Sequence, residues 1–144
     1  HHFLVPAVLI SAYYNAIGTP EQKETKLKIA LSRSKQILGG FCGFYGTCGA
    51  GVGAGIFISV VLGATPVSGK EWQLSNLATA ECLKAIALAG GPRCCKRDSF
   101  KAIETTVLFI KEHLNVDLES TPIKCTFSSK NRECLHDDCE YFGL

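Results

Sequence analysis

Residues 39–69, reading GGFCGFYGTCGAGVGAGIFISVVLGATPVSG, constrain this chain more than any other stretch. The segment has no charged residue and holds a large share of the 14 glycines. Its second half, 50–62, runs from small residues into aliphatic ones, which predicts a buried helix. Gly49 and Gly53 fall four apart, as do Gly51 and Gly55, so each pair shares a helical face. A glycine inside a helix costs roughly 1 kcal/mol against alanine. Several together predict very close approach by another backbone. This helix is therefore expected at the centre of the fold, entered through a loop that presents Cys42 and Cys48. The segment is long enough to cross a bilayer. Thr65, Pro66, Ser68 and the glycines make it a poor span, so no membrane span is expected.

Four more helices are expected around it. Residues 1–18 carry no Asp, Glu, Lys or Arg, and Pro6 suits a first helical turn. Thr19 and Pro20 open a second helix in which Leu27, Ala30, Leu31, Ser34, Ile37 and Leu38 keep helical spacing until Gly39. Ser68 and Glu71 form a capping-box pattern before a fourth, with Leu74, Ala78, Cys82, Ala85 and Ile86 on one face. Cys82 lies in that stripe and reads as a core thiol. Phe100, Ile103, Val107, Ile110 and Leu114 give the fifth. The fold class is thus all-α: a five-helix bundle over 1–115 and an irregular cysteine-rich tail over 116–144, together one domain.

Eight cysteines among 144 residues are many. A secreted chain would pair them as disulfides. A chain of this length folds without such staples, and Cys94 and Cys95 are adjacent, which favours reduced thiols in a cytoplasmic setting. The turn Arg93-Cys94-Cys95-Lys96-Arg97 precedes a helix, so cations and a helix N-terminus are expected to stabilise thiolates there. Cys42, Cys48, Cys94 and Cys95 are the expected cofactor-binding set, with His2 as a further ligand. Cys125, Cys134 and Cys139, separated by eight and four residues, enclose His136 and form a second expected metal set. Soft thiolates select an iron–sulfur cluster or zinc over hard cations.

The net charge of +2 and the lack of basic runs with interleaved aromatics exclude a nucleic-acid surface. Gly49-x-Gly51-x-Gly53 follows no expected strand, so a dinucleotide site is excluded as well. The chain lacks methionine and opens on His1-His2, native residues or a tag remnant, so it is read as a processed chain or a piece of a longer one.

The segments HHFLVPAVLISAYYN, GFCGFYGTCGAGVGAG, GGPRCCKRDSF and the C-x-F-S-x-x-N-x-E-C tail together resemble an uncharacterised domain family of methanogens and other anaerobes. That resemblance implies occurrence alone or joined to radical-SAM or methyltransferase domains, and a protein partner of that or a redox type. More distantly, Cys48-Gly49-Ala50-x-x-Gly53 is similar to helical proteins described as redox-active and named for a Cys, a Gly-Cys-Ala-x-x-Gly and two later Cys. Here the first cysteine is absent and the last two are adjacent. Three functions are carried forward: a metal- or iron–sulfur-binding domain for electron transfer or cofactor delivery, a thiol–disulfide redox enzyme, and a zinc-stabilised interaction domain.

Overall fold

The computed structural model describes residues 2–143, and the glycine-rich helix runs through its middle. In chain order the α-helices are α1 (Leu4–Ala16), α2 (Lys23–Ser34), α3 (Phe41–Phe44), α4 (Gly49–Leu62), α5 (Lys70–Leu88) and α6 (Cys95–Leu114). Five are the long helices expected, and α3 is a single turn inside the glycine-rich loop. Among the described residues there is no strand; one isolated parallel bridge joins Cys125 to Phe142. No helix among them is long and apolar enough to cross a membrane.

α4 touches α1, α2, α5 and α6. Ala50, Ala54, Phe57 and Ile58 on it are fully buried, among Val5, Leu9 and Ile10 of α1 and Ala102 and Ile110 of α6. The glycines set how near the neighbours come. A Cβ on Gly53 would stand 2.9 Å from Cδ of Pro6 and 3.3 Å from the His2 carbonyl oxygen. One on Gly55 would collide with the Thr79 hydroxyl and stand 3.1 Å from the Ser75 carbonyl oxygen. Gly53 therefore admits α1 and Gly55 admits α5, on two sides of one helix. Gly63, in the left-handed region at φ 68°, closes α4 by donating its N–H to Ser59 O. From α2, Lys26 Nζ donates to Val60 O at 3.0 Å and Arg33 to Ser59 Oγ at 2.7 Å. These cations satisfy and complement the C-terminal end of α4.

Three local expectations are corrected. α2 starts after a 3₁₀ turn at Pro20–Gln22 and stops at Ser34, so Leu38 lies outside it and is exposed. The Thr19 hydroxyl makes no cap bond. Ser68 does not cap α5 either; its hydroxyl accepts from Thr65 N at 3.0 Å, and Gly69 holds the cap position.

Cys82 sits in the α5–α6 seam, 1% exposed, with Sγ 3.4 Å from the Thr106 hydroxyl and 3.6 Å from Ala102 O. Burial pushes its thiol up to about 11. A folded value above the unfolded one contributes stability that is complete below the unfolded value and is lost as pH rises through the folded one. A gap of about two units corresponds to about 3 kcal/mol. The alkaline loss of stability between about pH 9 and 11 should therefore shrink by that order in Cys82→Ala, whatever the cavity costs at neutral pH. Urea unfolding at several alkaline pH values reads the slope.

Candidate functional site

Two helix N-termini meet at one end of the bundle. Cys48, with extended backbone at φ −69° and ψ 127°, is the N-cap of α4, and Cys94, also extended, is the N-cap of α6. Free N–H groups at both ends favour negative charge between them. The glycine-rich loop with α3 and the tail close over this end, forming two cavities that share Arg93 and Cys95.

The smaller cavity, about 60 Å³, is bordered by His2, Cys42, Cys48, Arg93, Cys95 and Asp98. Cys48 is 8% exposed, and its Sγ–H donates to Asp98 Oδ2 at 3.8 Å. Burial raises the Cys48 thiol; the N–H groups of Ala50 and Gly51 oppose this, and the Asp98 charge adds to it. Asp98 is itself raised by burial, against the pull of Arg97. Arg97 and Asp98 are each 4% exposed, with Nε and Oδ1 3.5 Å apart. Arg97 also donates from Nη2 to Gly90 O at 2.6 Å and Pro92 O at 2.9 Å. Oδ1 of Asp98 has no hydrogen-bond partner. His2 donates from Nδ1 to Ile37 O at 3.1 Å, and its Cδ2–Nε2 edge lies where a side chain on Gly49 would stand.

The larger cavity, about 210 Å³, lies between the start of α6 and the tail. Cys94, Cys125, Cys134 and Cys139 line it and not the smaller one. Arg93, Lys96, Lys130 and the buried Arg97 line it as well, against one carboxylate, Glu133. Lys96 Nζ rests 4.0 Å from the centroid of the Phe127 ring. Two sulfurs accept N–H donors: Cys94 Sγ from Asn131 Nδ2 at 3.5 Å, and Cys134 Sγ from the His136 backbone N at 3.4 Å. The tail is fastened to α6 by Lys101–Glu140 at 2.6 Å, by the Tyr141 hydroxyl on Glu104, and by Tyr141 against Phe100. Cys125 N donates to Tyr141 O at 2.7 Å, drawing the two ends of the tail together.

The structure redistributes the expected sets. Cys42, Cys48, Cys95 and His2 border one cavity, while Cys94 turns to the tail thiols. The His136 ring packs on Phe142 and is not in the cavity wall; its backbone serves Cys134 instead. The expected thiolate at Cys95 is corrected: burial raises that thiol, and Arg93 only partly offsets it. Arg97, expected as one of the cations beside the thiols, is buried and pairs with Asp98. Asp98 was missed; its spacing of three from Cys95 on one helix was the available signal. No group of three or more His, Cys, Asp and Glu side chains among the described residues is arranged to hold a metal ion. The tail thiols stand around a volume larger than the roughly 150 Å³ cavity that takes benzene in an engineered core.

No curated protein and no solved structure matches the chain. A family model does match, over residues 1–142, and the chain belongs to that family, DUF5714, a family of unknown function.

Proposed function

We propose that this is an iron–sulfur protein whose cluster is held in the 210 Å³ cavity by Cys94, Cys125, Cys134 and Cys139. The observation that carries the reading is that five thiols line one cavity of that volume, four of them lining no other, beside three solvent-side cations. Four cysteine ligands are the usual complement of a cluster. A cluster with four thiolates carries net negative charge, which Arg93, Lys96, Lys130 and the α6 N-terminus complement. The Asn131 and His136 N–H donors to sulfur tune such a cluster's potential. A single zinc, bound at about 2.3 Å by each sulfur, needs far less room.

The cluster takes one electron from a reduced donor protein and passes one to a partner enzyme, or is itself delivered. Under the resemblance to domains of anaerobes, that partner is of the radical-SAM or methyltransferase type and the setting is cytoplasmic. Phe44 at the end of α3 and Tyr45 just after it, 86% and 72% exposed, offer such a partner an apolar contact.

Anaerobic reconstitution with ferrous iron and sulfide tests the reading. The parent is expected to develop broad sulfur-to-iron charge-transfer absorbance, and Cys134→Ala to lose most of it while keeping its helical circular dichroism. A colourless parent that binds only zinc, or that turns over a disulfide substrate, would contradict it.

A further inference from the structure

We propose that the smaller cavity is a second and separate metal site, taking one thiophilic divalent ion of the zinc class on Cys42, Cys48, Cys95 and His2. The four residues come from four places in the chain, ahead of α1, in α3, at the N-cap of α4 and at the first residue of α6, and border one cavity of about 60 Å³. That volume suits one ion where the tail cavity suits a cluster. Three sulfurs and one imidazole form a standard tetrahedral zinc set. The imidazole is oriented as ligating histidines are: Nδ1 donates to a backbone carbonyl, Ile37 O, which places the ring lone pair on Nε2. Nε2 is on the ring edge packed over Gly49, and glycine there is what leaves room for the ring.

The surroundings favour the anionic complex that three thiolates make. Two helix N-termini and Arg93 face the cavity. Asp98, deeply buried in its wall, orients the Cys48 thiol through Oδ2 and keeps Oδ1 without a hydrogen bond. The four side chains border the cavity without yet being arranged to hold an ion together, so binding must draw them in, Cys42 from the four-residue α3 between Gly40 and Gly46. On binding, three S–H bonds give way to three metal–sulfur bonds and the three protons leave to solvent; no electron is transferred.

Anaerobic titration of the full chain with cobalt(II) is the test, carried out in Cys134→Ser to weaken the tail site. One equivalent of tetrahedral cobalt with sulfur-to-cobalt charge transfer is expected. Adding Cys42→Ser or His2→Ala should weaken it by roughly 100-fold or more, at least the 10–100-fold that loss of an outer-shell partner costs. Cys42 is partly buried against the core, so each variant's metal-free circular dichroism is compared with the parent's to separate lost binding from lost fold. No tetrahedral cobalt in Cys134→Ser, or an affinity there indifferent to Cys42→Ser or to His2→Ala, overturns the site. The iron reading stands apart from this: its failure removes the charge-transfer absorbance of the parent and leaves the cobalt result untouched.

Discussion

Gly53→Leu will destabilise the fold by about 3 kcal/mol or more, at or above the top of the usual range for overpacking. The Cβ alone would stand 2.9 Å from Pro6 Cδ and 3.3 Å from both the His2 carbonyl oxygen and Val5 Cβ. Two of these atoms belong to the backbone or to a ring tied to it, so they cannot swing aside as the end of a flexible side chain would. The rest of the leucine must then push α1 off α4, opening the contacts of Val5, Leu9 and Ile10. Urea midpoints read the loss, with an unchanged slope showing that both end states remain comparable. Val67→Ala, at a site 94% exposed, should stay within about 0.5 kcal/mol of the parent. A Gly53→Leu protein as stable as that control would mean that α1 does not pack on α4 as described.

Arg97→Ala will cost about 3–5 kcal/mol, the penalty for breaking a buried ion pair by removing one partner. The guanidinium is 4% exposed and holds the turn before α6 through Gly90 O and Pro92 O. Its loss strands the Asp98 carboxylate, whose Oδ1 already lacks a hydrogen bond. Most of the cost is that stranded charge, so Arg97→Ala with Asp98→Asn should be less destabilised than the sum of the single changes. A double-mutant cycle of unfolding free energies measures the difference. Strict additivity would show that the two residues do not act as a pair.

The centre of the fold was legible because glycine spacing inside an uncharged helix has few explanations. Gly53 and Gly55 admit α1 and α5 as that spacing requires. The five long helices were legible from periodicity and their Gly and Pro ends. The α3 turn was not, because Phe41–Phe44 is too short for any periodic signal. Caps were misread at Thr19 and Ser68, where competing local hydrogen bonds or backbone geometry decide the hydroxyl's partner. At the site, sequence adjacency misled: Cys94 is an extended N-cap and Cys95 a helical residue, so Cys94 lines only the tail cavity while Cys95 stands between both. Arg97 was expected only as a cation beside thiolates, and its burial rests on long-range contacts no local pattern encodes, among them its hydrogen bonds to Gly90 O and Pro92 O.

The mass of the anaerobically isolated full chain, measured under native conditions, tests the central claim most directly. An iron–sulfur cluster on Cys94, Cys125, Cys134 and Cys139 predicts a mass above that of the chain by one [4Fe–4S] or [2Fe–2S] unit. The increment should vanish in Cys139→Ala and persist in Cys42→Ser, which belongs to the other cavity. A chain carrying neither iron nor sulfide, before and after reconstitution, or an increment unaffected by Cys139→Ala, would contradict the account.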